Sequence, residues 1–512
     1  MPIATMPVVK SSRKNKRQPS GRDVGGKARA VLKKVFGLDA FRPGQEEVVR
    51  SALAGRNTLA IMPTGAGKSL CYQLPAVMLP GMTLVISPLI ALMKDQVDKL
   101  TELGLTASQV NSGRTARENN DAVEDIAEER PAFAITTPER FTQPEFLATL
   151  NGVTIDLIVI DEAHCISEWG HDFRPAYLGL GRAIKSLGSP PVLALTATAP
   201  AAVVHDIRAQ LDLADLNVIN TGTYRPNLKY EVVAVEGDEA KQQRLVSLMG
   251  ALEGIGIIYT STVKHAESTA ELLKTHHIAA ERYHGRLSSR ERHQIQERFM
   301  RGELKAIVAT NAFGMGIDKS DIRFVVHYSL PGSIDAYYQE SGRAGRDGLD
   351  ARCILFFHKA DQRTHLFFMG RKYPRFDDIA AVHGALVAAR AHERPVELKR
   401  FRDDGLGVGS RKLSVVLALM AELGDVENND GLVTLRRPHL DESGLSDLAL
   451  LYDTRKDRDR EKLDNMIAYA QSSLCRWLLI LRQFGESIDG DACGGCDNCR
   501  RQTSQQQLPA AS

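Results

Sequence analysis

The sequence predicts an α/β protein: two tandem parallel-sheet domains, then a small α+β segment and a cysteine-bearing helical module. Three observations carry that expectation. From Val31 to about Thr221, short aliphatic runs (TLAIM, TLVIS, AFAITT, LIVI, VLALTAT) alternate with helical stretches. Strands buried on both faces and joined through helices form parallel sheets, because the crossover helices cover both faces. The pattern then restarts, with GIGIIYTS, LKAIVAT, IRFVVHYS and RCILFFH between Gly222 and about His358. Past Lys359 the aliphatic runs stop, and four of the seven cysteines gather at Cys475, Cys493, Cys496 and Cys499. At 512 residues the chain also exceeds what one core can organise.

Taken in order, residues 1–28 mix Lys, Arg, Ser and Pro with almost no apolar periodicity. They read as a flexible basic tail, either simply solvated or docking on a polyanion such as DNA. The sheet domains take residues 29–221 and 222–358, and the cleft between two such domains is a common ligand site. In residues 359–440, Asp377–Ala391, Val396–Phe401 and Ser410–Leu423 have helical spacing, and DVENNDGLVTLRR reads as a hairpin turning at Asn429-Asp430-Gly431. Three helices and a hairpin predict a winged-helix-like segment. A charged helix from about Arg455 leads into the cysteine cluster of residues 441–502, and residues 503–512 read as a second flexible tail.

Composition narrows the class. Apolar residues make up 43% and charged residues 25%, ordinary for globular domains. No apolar run approaches the roughly 20 residues that a bilayer span needs. Arg13, Lys14, Lys16 and Arg17 are followed by no apolar stretch, so no secretory leader and no membrane partner are expected. The protein is expected to stay inside the cell, in the cytoplasm or another internal compartment. Lys and Arg number 65 against 63 Asp and Glu, so a nucleic-acid site must be a local patch. Cys71, Cys165 and Cys353 stand alone and suit small buried positions.

Three motifs carry chemistry. MPTGAGKSL follows the strand TLAIM and precedes a helix. Gly65 and Gly67, after Thr64, permit a tight turn with inward N–H groups. Lys68 places a charge for the β- and γ-phosphates, and Ser69 can hold Mg²⁺ at the helix N-terminus. Met62 stands where the strict pattern has glycine. In DLIVIDEAHCISEWGHDFRP an apolar strand ends in two acids. Asp161 can face the same metal, while Glu162 can take a proton from attacking water. A merely solvated acidic loop would not need an all-apolar strand to deliver it. In the second domain, YYQESGRAGRDG supplies Arg343 and Arg346, with Gly342 and Gly345 allowing close approach. Guanidinium groups reaching over the cleft would make ATP binding and closure one event.

FRPGQ, MPTGAGKS, SPLIALMKDQ, TTPER, DEAH, TATA, TNAFGMGID and QESGRAGRDG, in that order, resemble a superfamily 2 helicase. CISEWGHDFRPAY, YHGRLSSRER and the cysteine module after CRWLLILRQFGE resemble the RecQ family of DNA helicases, over Val31 to Arg500. The resemblance implies two RecA-like domains and ATP-driven, 3′ to 5′ unwinding in replication, recombination or repair. Its implied partners are single-stranded and forked duplex DNA, with DNA-repair or single-strand-binding proteins as candidate protein partners. It also implies that Gln45 and Arg42 read adenine, that His164 and Gln339 link nucleotide to cleft, and that Thr196 and Thr198 couple the domains. Asp318 would lie near the ribose, and Ser87, Thr137, Ser261 and Thr310 would contact the strand backbone. Trp169 and Phe173 would stack on bases while His171 and Arg174 meet phosphate. The other reading of Trp169 and Phe173 is core packing.

Four cysteines suit tetrahedral Zn²⁺ in a closed structural site, with an iron–sulfur cluster as the alternative. The chain departs from the family in one respect: its winged-helix-like segment precedes the cysteines instead of following them. ENNDG is therefore only a candidate strand-splitting turn. The alternative functions are an RNA-directed helicase, a translocase that separates no strands, and a DNA-binding scaffold with a dead nucleotide fold. The scaffold reading is disfavoured by the joint presence of Lys68, Asp161, Glu162, Gln339, Arg343 and Arg346.

Overall fold

The computed structural model describes residues 21–506 apart from 89, 129–130, 168–173, 315–318, 404–407, 430–431 and 441. The first domain holds seven parallel strands: β1 (Thr58–Ile61), β2 (Met82–Ile86), β3 (Ala107–Val110), β4 (Phe133–Thr136), β5 (Ile155–Ile160), β6 (Val192–Thr196) and β7 (Asn217–Asn220). Their order is β3-β4-β2-β5-β6-β1-β7. The second holds six: β8 (Leu228–Ala234), β9 (Ile255–Tyr259), β10 (Ala280–Tyr283), β11 (Ala306–Ala309), β12 (Ile322–His327) and β13 (Ala351–Phe357). These run β10-β11-β9-β12-β13-β8, again all parallel. Because every strand is parallel, all the loops that follow strands emerge on one edge of each sheet, where open α/β sheets place their ligands.

The first helix, Gly21–Phe36, begins inside the stretch expected as tail. Ala28 and Leu32, one turn apart, are buried with Val49, Leu70 and Leu74, so this helix packs beside the phosphate-loop helix. Gly25 and Gly26 mask that short apolar stripe in the sequence. Gly25 lies against the Arg50 guanidinium, where a Cβ would come within 2.2 Å of Nη2.

The third segment contains helices Phe376–Ala388, Leu398–Asp403 and Ser410–Glu422 around a three-stranded antiparallel sheet. Its strands are β14 (Val396–Glu397), β15 (Val426–Asn429) and β16 (Leu432–Leu435), ordered β14-β16-β15. The expected helix at Val396 thus opens with a strand, because Val396 and Glu397 pair with Val433 and Leu432. The expected hairpin is present, although its turn residues 430–431 lie outside the described residues. The segment has its own core, including Ile379, Leu386, Leu413, Val416, Leu417, Met420 and Val433.

The charged helix expected from Arg455 starts much earlier, at Glu442, and runs 30 residues to Gln471. At about 45 Å it spans two cores. Leu448 and Tyr452 belong to the α+β segment, whereas Leu463, Met466, Tyr469 and Ala470 belong to the core of the second domain. That second core also contains Trp477, Leu481, Phe484, Cys475, Cys496 and Cys499, so the cysteine module and the second domain share one interior. The last helix, Asp497–Gln506, extends four residues into the expected tail. Among the described residues no helix is long and apolar enough to cross a membrane.

Candidate active site and metal centre

The phosphate loop leaves β1 with Met62 N bonded to Thr196 O at 3.0 Å. Gly65 and Gly67 adopt φ of 87° and 79°, a region in which glycine carries no Cβ penalty. Glycine is required at both positions for a second reason. A side chain at Gly67 would meet Gln45 Nε2 at 2.6 Å, and one at Gly65 would meet Arg346 Cγ at 2.9 Å. Gln45 Nε2 donates to Ala66 O and Gly67 O at 2.9 and 3.0 Å, and its Oε1 accepts from Arg42 N at 2.8 Å. Arg42 Nη1 in turn donates to Gly65 O. The pair expected to read adenine therefore also braces the loop from behind.

Lys68 Nζ donates to Met62 O at 3.2 Å, so position 62 serves through its carbonyl and tolerates a side chain. Burial pulls the Lys68 ammonium below its ordinary value, while Glu162 and Asp161 act in the opposite direction. Burial first, then the adjacent Glu162 carboxylate, pushes Asp161 up to about 7. An enclosed acid held at that value is short of positive charge, which a divalent cation would supply. Ser69 heads the helix Leu70–Met78, and its Oγ accepts from Gln96 Nε2 at 3.2 Å. A hydroxyl and a carboxylate, both hard oxygen donors, fit Mg²⁺.

Glu162 has φ 49° and ψ 47°, a left-handed conformation that costs on the order of 1–3 kcal/mol for a residue with a side chain. That turn swings its carboxylate out of the strand line. Oε2 is buried and accepts no hydrogen bond, with His164 Nδ1 at 3.3 Å. Burial drives His164 down to about 3, so its imidazole is neutral, and Nδ1 lies 3.0 Å from Thr196 Oγ1. Thr196 also donates to Thr198 O at 2.9 Å; these bonds lie within the first domain. A carboxylate with one buried oxygen that accepts no hydrogen bond, carried on a strained turn, is suited to accepting a proton.

The second domain meets this site through residues 342–346. Arg346 lies against Gly65, and a Cβ on Gly342 would touch Thr64 Cβ at 3.2 Å. Arg343 is turned toward its own domain, where Nη1 donates to Gly314 O. Arg343 Nε and Gln339 Nε2 are buried without hydrogen-bond partners, and no contact brings either of them onto the phosphate loop among the described residues. Arg225, which no motif singled out, holds the seam shut. Its guanidinium donates to the carbonyls of Thr64 (3.2 Å), Gly342 (2.7 Å), Ala344 (2.8 Å) and Gly345 (2.6 Å). A lone arginine in a linker carries no spacing signal, so only the folded geometry reveals it.

The other expected residues distribute unevenly. Ser87 is buried and lines a small cavity with Tyr72, Gln96 and Asp161, and Thr137 is buried at the end of β4. Ser261 and Thr310 are half-buried after β9 and β11, on the loop edge of the second sheet. Arg174 donates to Pro88 O at 2.9 Å, turning back onto the loop after β2. Trp169, His171, Phe173 and Asp318 lie outside the described residues.

Cys475, Cys493, Cys496 and Cys499 bring their sulfurs within 4.8 Å of one another. Tetrahedral Zn–S bonds of about 2.3 Å would set the sulfurs roughly 3.8 Å apart, so the cluster fits that ion. Backbone N–H groups of Cys493, Cys496 and Arg476 point at these sulfurs at 3.2, 3.3 and 3.4 Å, as thiolates require. Arg476, which is 2% exposed, braces the knuckle through Asp497 at 2.9 and 3.1 Å.

Comparison with known proteins agrees with this geometry. The chain matches the families described as DEAD/DEAH box helicase over residues 42–207, helicase conserved C-terminal domain over 229–348, and RecQ zinc-binding over 439–500. It is 46% identical over 345 residues to the ATP-dependent DNA helicase RecQ of Bacillus subtilis (strain 168), covering 67% of this chain and 58% of that one. It spans a little over half the length of such relatives. The probable ATP-dependent DNA helicase RecS of the same organism is 41% identical over 404 residues, 77% of this chain and 79% of that one. Among solved structures, Mycobacterium smegmatis helicase Lhr bound to ssDNA and AMP-PNP shares the fold, with a TM-score of 0.55 at 22% identity over 80% of this chain and 61% of that one. With a relative matched over most of both chains, and with nucleotide loop, arginine loop and cysteine knuckle in their places, the chain belongs to the RecQ helicase family.

Proposed function

We propose that the chain is an ATP-hydrolysing DNA helicase that moves 3′ to 5′ along a single strand and opens forked duplex DNA. The observation that supports this most is the seam, where Arg346 of one sheet domain lies on Gly65 of the other's phosphate loop. ATP in that seam would meet groups from both lobes. The loop N–H groups and Lys68 hold the phosphates, Gln45 and Arg42 hold the base, and Glu162 takes the proton from the attacking water. Arg346, joined by Arg343 once it releases Gly314, stabilises charge on the departing phosphate. Ser69 and Asp161 would hold Mg²⁺, which neutralises phosphate charge when bound. The four cysteines would hold Zn²⁺, which contributes folding energy to the module.

Loss of the γ-phosphate removes the group that both lobes grip, so the cleft opens and the strand held by the two sheet edges shifts. Ser261 and Thr310 sit on that edge, and hydroxyl groups suit a sugar-phosphate backbone without reading sequence. Action on DNA places the protein with the nucleoid in the cytoplasm, or in the nucleus of a eukaryote.

Glu162→Gln should lower turnover by at least about 100-fold while leaving ATP binding within about twofold, measured by phosphate release and nucleotide titration. Undiminished turnover would remove Glu162 from its role. Strand displacement on forks with a 3′ or a 5′ single-stranded arm, and on RNA duplexes, tests polarity and substrate. ATPase stimulation without displacement would favour a translocase, and RNA-specific displacement an RNA helicase.

A further inference from the structure

The chain that joins the two sheets, Asn220 to Leu228, is gripped by the cysteine module. We infer that Glu486 is a positioning residue for the motor: its carboxylate fixes the interdomain linker in the closed register, so the module sets how readily the ATP cleft opens. The inference rests on the reading of the seam as an ATPase site.

Gly222 has φ of 80°, and its N–H is held by Asn220 Oδ1 at 2.9 Å. The next residue, Thr223, is 1% exposed and donates twice to Glu486 Oε2, from N and from Oγ1, each at 2.9 Å. Asn220 Nδ2 reaches Glu486 Oε1 at 3.5 Å. From the opposite side Tyr338 OH donates to Thr223 O at 2.8 Å, and Tyr338 lies on the helix Ile334–Ser341 that leads into the arginine loop. Tyr224 then sets its ring edge-on to Trp477, with centroids 5.0 Å apart, and Trp477 Nε1 donates to Leu228 O at 3.1 Å. Between these contacts lies Arg225, bound to the phosphate loop and the arginine loop at once. The linker is therefore held in turn by the module, the arginine helix and the phosphate loop.

Glu486 is itself rigidly placed. The helix Arg476–Gln483 ends with Gly485 at φ 74°, Glu486 N bonded to Leu481 O at 2.8 Å and Gly485 N bonded to Arg482 O at 3.2 Å. Those two bonds around a left-handed glycine are a Schellman cap. The same helix begins at Cys475, its N-cap and a candidate zinc thiolate. Eight residues, roughly 12 Å of capped helix, thus connect the metal centre to the linker. A carboxylate oxygen that accepts from two donors holds them firmly, and the two bonds act beside Gly222, the linker residue with the widest dihedral range. Hinge closure is absorbed by a few such residues, so restraining Thr223 restrains the hinge.

The test compares Glu486→Ala, Glu486→Gln and Thr223→Val, the last deleting only the hydroxyl donor. With Glu486→Ala we expect the KM for ATP to rise about tenfold while kcat at saturating ATP and DNA stays within about twofold, with zinc content unchanged. Glu486→Gln should fall between, since its amide oxygen still accepts from Thr223 N. Spectroscopic labels introduced as unnatural amino acids at the exposed positions Arg56 and Arg301 should report a broader interdomain distance in Glu486→Ala without nucleotide. Thr223→Val should act in the same direction and non-additively with Glu486→Ala. A wild-type KM with unchanged distances in Glu486→Ala, or strict additivity with Thr223→Val, would overturn the inference. If Glu486→Ala loses zinc, Thr223→Val and its label distances decide alone. If the unaltered protein hydrolyses no ATP, the ATPase reading fails instead, and the label distances still test the clamp.

Discussion

The cysteine module and the α+β segment both follow the second sheet domain, yet they join the molecule in opposite ways. The module contributes Trp477, Leu481 and Phe484 to the interior of the second domain, and Glu486 to the linker between the domains. The segment closes a core of its own and, among the described residues, meets the interior of the second domain at Met369 and along the long helix Glu442–Gln471. The difference teaches that proximity along the chain says little about mechanical coupling. What counts is whether two elements bury one continuous apolar surface, because close-packed interiors transmit strain and separate cores do not.

The strongest challenge to that contrast is Cys496→Ser. Structural zinc supplies on the order of 10 kcal/mol to small modules, so this variant should lose zinc, lower the melting temperature of the second domain and abolish DNA-stimulated ATPase. Melting and metal analysis together check it; a variant that keeps its ATPase would detach the module from the motor. Trp477→Ala comes next. It removes an indole packed edge-on to Tyr224 and Tyr230 at 5.0 Å and a hydrogen bond to Leu228 O, and should cost about 3–5 kcal/mol in denaturant unfolding, with ATPase falling in parallel.

Leu417→Ala is the counterpart in the segment, where Leu417 is 2% exposed. The local cost should be about 2–5 kcal/mol, seen as faster amide exchange in residues 376–437, with DNA-independent ATPase unchanged. A fall in that ATPase would break the comparison. Arg460→Ala has the smallest expected effect. It removes an exposed pair with Asp464 at 3.2 Å on the long helix, worth at most about 0.5 kcal/mol by thermal melting.

Much of the fold was legible because the central strands are buried on both faces and read as aliphatic runs. The four strands that left no such signal are β3, β7, β8 and β10, and they are the four edges of the two sheets. An edge strand meets solvent on one side, so ASQV, NVIN, LKYEVVA and AERY carry polar residues that hide the pattern. The site divides the same way. Lys68, Asp161, Glu162 and Arg346 come from contiguous motifs whose spacing is itself the chemistry. Arg225 and Glu486 act through carbonyls and N–H groups far away in the sequence, and nothing local announces them.

The chain leaves the second domain along the helix Gln362–Lys372 and returns along Glu442–Gln471, and the two helices pack side by side in opposite directions. Entry and exit therefore stand next to each other where the segment joins the second domain. Two neighbouring junctions mean that a change in the length or shape of the inserted body need not displace the sheet domain below, which is the arrangement that tolerates insertion.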